Sequence, residues 1–270
     1  IALGNVVGSN IFNLLMVIGI TALFKDMLVK KSILKREMPL LLIISVLLIF
    51  LAGDILWFGG IIKKNNIFLF ENGSTMVGNV NRIDGILLLV LFVGFIAWTV
   101  SYALKERTEE DGTDEVIMLS KRKSAIFIVG GAIAIAVGGQ VVVDSAKSLA
   151  LAAGMSETLV GLTIVAMGTS LPELVTSAVA ASKGEADLAI GNVVGSNISN
   201  ILLVLGLSAA ISSVGVTAMN FEDIIVSLAA TIIVFIVAST QRTIKKKEGI
   251  FLVIIYAFYM AYIICRQIYG

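Results

Sequence analysis

Histidine is absent from this 270-residue chain, cysteine occurs once and proline twice. Without His the chain lacks the commonest metal ligand, general base and switch near neutral pH. No nucleophile–base pair stands out, so an enzyme is not expected. A single Cys excludes a disulfide scaffold, and two Pro exclude a proline-rich linker. Charge is also scarce, at 14% against about a quarter in soluble domains. The net charge of +1 offers no basic face for nucleic acid, and nothing points to a cofactor.

What is abundant is apolar sequence: 58% of residues are hydrophobic and the mean hydropathy is +1.00. A membrane-spanning helix needs about 20 apolar residues. Eight segments approach that length: 1–24, 38–59, 85–104, 124–146, 154–182, 188–211, 224–241 and 249–265. The first has no basic stretch before it, which argues against a signal peptide. Threading the chain back and forth through eight spans puts 15 of the 20 Lys and Arg residues on one side. Basic residues near span ends favour the cytoplasm. The 105–123 connector, rich in Glu and Asp, is therefore expected to be a cytoplasmic loop.

An internal repeat dominates the pattern. GNVVGSNI occurs at Gly4–Ile11 and again, identically, at Gly191–Ile198, an offset of 187 residues. The copies lie five spans apart, so they cross the bilayer in opposite directions. This is an inverted-topology repeat, an architecture of secondary transporters. The offset pairs the first three segments with the last three. It also predicts that segments 124–146 and 154–182 have counterparts about 65 residues upstream of Ile1. The expected fold is an all-α polytopic membrane protein with inverted repeats of five helices each, eight of ten being present. Residues 1–104 would be the remainder of the first repeat and 124–270 the second.

Polar residues at membrane depth suggest chemistry. Glu173 sits within an apolar segment, where a carboxylate costs about 3 kcal/mol on insertion scales. Pro172 beside it breaks or kinks a helix, freeing carbonyls near Val165 and Ala166. Thr169 and Ser170 precede Glu173 by four and three residues, which on a helix is the same face. In the two octapeptide regions Ser9 and Asn13, and Ser196 and Asn200, form equivalent i, i+4 pairs. Such an all-oxygen set suits hard cations. Asn5, Asn10, Asn192 and Asn197 read as interhelical hydrogen-bonding groups, and Asp54, Asp84, Asp144 and Asp187 as interfacial charges. The Gly-x-x-x-Gly spacing of Gly4 and Gly8, and of Gly191 and Gly195, predicts close helix approach.

GTSLPE (Gly168–Glu173) followed by GNVVGSNISN (Gly191–Asn200) resembles the second alpha repeat of the sodium/calcium exchanger family. GNVVGSNIFN (Gly4–Asn13) resembles the second half of the first alpha repeat. The resemblance implies ten helices in two inverted halves. It implies that Glu173 is a carboxylate ligand shared by Ca²⁺ and Na⁺, with Thr169 and Ser170 as hydroxyl ligands and Ala166 giving its carbonyl. Ser9 and Ser196 would be hydroxyl ligands toward Na⁺, and Asn13 and Asn200 central ligands. Some relatives carry Asp where Asn200 stands, which argues against potassium dependence here. The expected function is electrogenic antiport in the plasma membrane, Ca²⁺ leaving as Na⁺ enters, with inorganic cations and the lipid bilayer as partners. The alternatives are a proton/calcium exchanger of similar architecture and a cation channel, which the paired inverted motif disfavours.

Overall fold

The computed structural model describes residues 2–57, 76–109, 120–154 and 166–269. Along the chain run helices α1 (Ala2–Phe24), α2 (Met38–Ala52), α3 (Arg82–Glu109) and α4 (Lys121–Ala152). The short turn α5 (Ala166–Gly168) and α6 (Leu171–Ser182) follow. The last three are α7 (Ala186–Ile211), α8 (Ala218–Gln241) and α9 (Lys246–Tyr269). The chain is an all-α polytopic membrane protein. Helices α1, α3, α4, α7, α8 and α9 are long and apolar enough to cross a bilayer.

The segment expected at 38–59 forms α2, extended at its start by the π-helical turn Ile33–Glu37. Segment 154–182 lies partly outside the described residues and is represented by α5 and α6. The expected 105–123 loop is shorter at both ends, since α3 runs on to Glu109 and α4 starts at Lys121; residues 110–119 lie outside the described residues. Helices α8 and α9 begin before their apolar stretches because polar side chains cap them. Thr217 accepts a hydrogen bond from the Asn220 backbone N–H, and Glu248 accepts one from the Lys245 N–H at 2.7 Å.

The two octapeptide copies lie in the interior of the molecule. Leu3, Val6, Val7 and Ile11 of α1 and Ile190, Val193, Val194 and Ile198 of α7 are all buried in one core cluster. By contrast, Val90 and Val93 of α3 and Phe251 and Phe258 of α9 are exposed. Extended apolar surface is rare on soluble proteins and is what lipid requires of an outer face.

Close helix approach occurs, but not at the Gly-x-x-x-Gly motifs. Among the described residues a Cβ on Gly8 or Gly195 would meet nothing within 4 Å, and on Gly4 or Gly191 only a side chain at 3.9 Å. The tight crossings are elsewhere: a Cβ on Gly249 would lie 2.7 Å from the Gly19 carbonyl oxygen, and one on Gly85 2.7 Å from that of Gly206. Gly19 and Gly206 are equivalent in the repeat, so α9 crosses the end of α1 as α3 crosses the end of α7. Gly85 and Gly249 are closer in sequence than the 187-residue offset because the connection entering α3 is longer than that entering α9. The expected pairing of segments therefore holds in order but not in spacing.

Four short strands were not anticipated. β1 (Met27–Leu28) pairs antiparallel with β4 (Thr243–Ile244), and β2 (Met76–Val80) with β3 (Val214–Thr217). β1 and β3 follow α1 and α7 at equivalent positions of the repeat. Each ribbon joins two linkers that the Lys and Arg distribution assigns to the same side.

Candidate cation site

The helix break expected at Pro172 falls just before it. Residues 169 and 170 form a turn between α5 and α6, and Pro172 opens α6 rather than kinking it. At a first-turn position proline has no hydrogen bond to lose. Glu173 consequently lies in the first turn of a half-helix, where the aligned peptide dipoles favour negative charge. Thr169 and Ser170 are not on a helical face shared with Glu173, as the spacing suggested. They reach the site from the turn, with Ser170 buried and its N–H bonded to the Met167 carbonyl at 3.0 Å.

Helices α1 and α7 both widen just past the repeated octapeptide. The π-helical stretch Phe12–Val17 interrupts α1 and Asn200–Leu205 interrupts α7. Such bulges mark functional positions and rotate side chains off the regular face. Asn13 and Asn200 lie in the wide turns and Ser9 and Ser196 in the regular ones.

From these elements the site is assembled across the repeat. Ser9 and Thr169 share a hydrogen bond, Oγ to Oγ1, of 2.9 Å. Ser196 donates to Glu173 Oε1 at 3.2 Å. Asn13 donates its amide to Asn197 Oδ1 at 3.0 Å, and Asn200 donates its own to Asn10 Oδ1 at 2.9 Å. Seven of the eight residues singled out as ligands thus stand in or beside the contact of α1, α6 and α7. The eighth, Ala166, begins α5, which packs against α1.

Two oxygens in this cluster are buried without a hydrogen-bond donor: Asn13 Oδ1 and Glu173 Oε2. A buried acceptor left unpaired costs about 1–3 kcal/mol. A cation is one kind of group that satisfies acceptors which protein donors do not reach. Among the described residues no three His, Cys, Asp or Glu side chains gather. The side chain bonded to the Glu173 carboxylate is a neutral hydroxyl, that of Ser196.

The remaining polar residues divide. Asn10 and Asn197 bond between helices, as expected, each donating to the other's backbone carbonyl at 3.3 and 3.1 Å. Asn192 donates to Thr176 at 3.1 Å and Ser177 at 3.4 Å. Asn5 is exposed. Asp187 pairs with Lys30 at 2.6 Å. Asp54 accepts from the Asn79 N–H and Asp84 from the Asn81 N–H, while Asp144 accepts from Gln140 within α4. Thr176 and Ser177 were not singled out, although they lie three and four residues past Glu173 on α6.

A family model described as sodium/calcium exchanger protein matches residues 1–101 and 123–265. The inner membrane protein YrbG of Escherichia coli is 36% identical over 78% of this chain and 60% of its own length. The sodium/calcium exchanger MaX1 of Methanosarcina acetivorans is 31% identical over 98% of this chain and 79% of its own. A solved structure of the sodium-calcium exchanger NCX_Mj, soaked with zero Na⁺ and Ca²⁺, superposes with a TM-score of 0.73 at 27% identity. That match covers 97% of this chain and 76% of NCX_Mj.

Proposed function

Because the chain belongs to the sodium/calcium exchanger family, we propose that it serves as a Na⁺/Ca²⁺ antiporter of the plasma membrane, extruding Ca²⁺ as Na⁺ enters. The observation that carries this reading is the pair of buried, donor-free oxygens, Glu173 Oε2 and Asn13 Oδ1. Asn13 lies on α1, and Glu173 on α6, which packs against both α1 and α7. Glu173, Thr169, Ser170, Ser9, Asn13, Ser196 and Asn200, with the Ala166 carbonyl, are the proposed ligands.

The chemistry of coupling follows from charge. An ionised Glu173 in a dry, closed site is costly without a counter-charge. Occupancy by Ca²⁺ or by Na⁺ removes that cost, and both ions compete for the same oxygens. The loaded forms can therefore change access and the empty form cannot, which couples the two fluxes. The names of MaX1 and NCX_Mj, both sodium/calcium exchangers, support this choice of ions.

The second reading is proton/calcium exchange, for which Glu173, the carboxylate with a donor-free oxygen, is again the ion-binding group. Ca²⁺ uptake into vesicles holding the full-length protein separates the two. Uptake driven by an outward Na⁺ gradient and indifferent to a pH gradient supports Na⁺ coupling; the converse replaces it. Glu173→Gln is expected to abolish uptake under either gradient, and full uptake by this variant would overturn the site.

A further inference from the structure

The four Asn residues at the α1–α7 crossing form a hydrogen-bonded series, Asn13–Asn197–Asn10–Asn200, whose bonds come in symmetric pairs. Asn10 Nδ2 donates to the Asn197 carbonyl and Asn197 Nδ2 to the Asn10 carbonyl. These partners are 187 residues apart, the offset of the repeat, so each residue bonds to its own counterpart. The second pair obeys the same symmetry: Asn13 donates to Asn197 Oδ1, and Asn200 to Asn10 Oδ1. Asn10, Asn13 and Asn197 are at most 2% exposed.

The series determines which way each amide points. A backbone carbonyl only accepts, so the end of Asn197 facing Asn10 must be its NH₂. Its Oδ1 then faces Asn13, which must offer its own NH₂ in return. The carbonyl oxygen of Asn13 is left over, and it is the buried atom without a donor. By the same chain of reasoning Asn10 fixes Asn200. We propose that Asn10 and Asn197 are positioning residues that hold the amides of Asn13 and Asn200 with their oxygens, not their NH₂ groups, toward the transported cation. Unheld, either amide could rotate by half a turn and present hydrogens to a positive ion. The inference rests on the cation site proposed above.

A double-mutant cycle tests it. Asn197→Ala removes both the donor to the Asn10 carbonyl and the acceptor for Asn13. If Asn197 acts on the cation only through Asn13, its loss costs nothing further once Asn13 is itself replaced by Ala. Asn10→Ala and Asn200→Ala form the symmetry-related cycle.

Equilibrium Ca²⁺ binding by the full-length protein in detergent is measured at one pH, with thermal melting as the control for folding. Asn197→Ala and Asn10→Ala are each expected to raise the Kd about tenfold over the parent, and to raise it no further when added to Asn13→Ala and Asn200→Ala respectively. An unchanged Kd in the single variants, or a full second loss in the double variants, overturns the assignment. So does failure of both single variants to fold, which would make the four Asn residues purely structural. Binding needs no gradient, so the two readings fail separately. A parent that binds Ca²⁺ but shows no uptake under either gradient overturns antiport and leaves the positioning test intact; a parent that does not bind Ca²⁺ overturns both.

Discussion

Ser196 illustrates how the residues of the site are balanced against one another. Its hydroxyl donates to one oxygen of Glu173, leaving the other without a donor. Removing the hydroxyl as Ser196→Ala unpairs the second carboxylate oxygen, an effect of about 1–3 kcal/mol. The expected result is a five- to hundredfold loss in Ca²⁺ uptake at low Ca²⁺, read from initial rates in vesicles, and always milder than Glu173→Gln. Loss equal to that of Glu173→Gln would mean that the hydroxyl is no mere auxiliary. Glu173 itself was recognisable from the chain because a carboxylate in an apolar segment requires a reason. The bonded series of Asn residues was not, since hydrogen-bond direction is a property of paired atoms. Sequence spacing placed Asn10 and Asn197 between helices but gave no means of seeing that each bonds to its own repeat copy.

Helix crossings operate at the next scale. The glycines that looked like contact points, Gly8 and Gly195, have no neighbour among the described residues, whereas Gly19, Gly85, Gly206 and Gly249 do. A Cβ on Gly85 would run into the Ala210 nitrogen, with backbone and not a mobile side chain in its way. Overpacking of this kind costs about 1–3 kcal/mol. Gly85→Ala and Gly249→Ala are each expected to lower the melting temperature in detergent by several degrees; unchanged melting of both would show that these crossings yield freely. The Gly-x-x-x-Gly spacing misled because it reports which glycines share a helix face, not whether another helix passes over that face. The π-helical turns at Phe12–Val17 and Asn200–Leu205 were likewise hidden, as an inserted residue leaves apolar periodicity almost unchanged over so short a stretch.

Across the whole molecule the two ribbons join linkers in pairs. β1 aligns Leu28 with Thr243 of β4, and Asn79 of β2 aligns with Gly215 of β3. In a chain with exposed Cys265 replaced by Ser, single cysteines at 28 and 243 should react with an impermeant maleimide from one side of the membrane, the cytoplasmic side. Cysteines at 79 and 215 should react from the other. Labelling of 28 and 79 from the same side would contradict the inverted arrangement. The alternation of sides was readable in the Lys and Arg distribution because charge near span ends is selected locally. The ribbons were not, since strands this short carry no periodic signal and exist only where two linkers meet.

The chain alone determined that it is a membrane protein, that it contains an internal repeat and that a carboxylate falls within an apolar segment. Each follows from local composition or from identity between two stretches, and none depends on what packs where. Only the tertiary structure decided where the broken helix ends, which glycines touch, and which buried oxygens are left without donors. Those are differences between partners remote in sequence, and a hydrogen bond or a clash is defined only once both partners have a place.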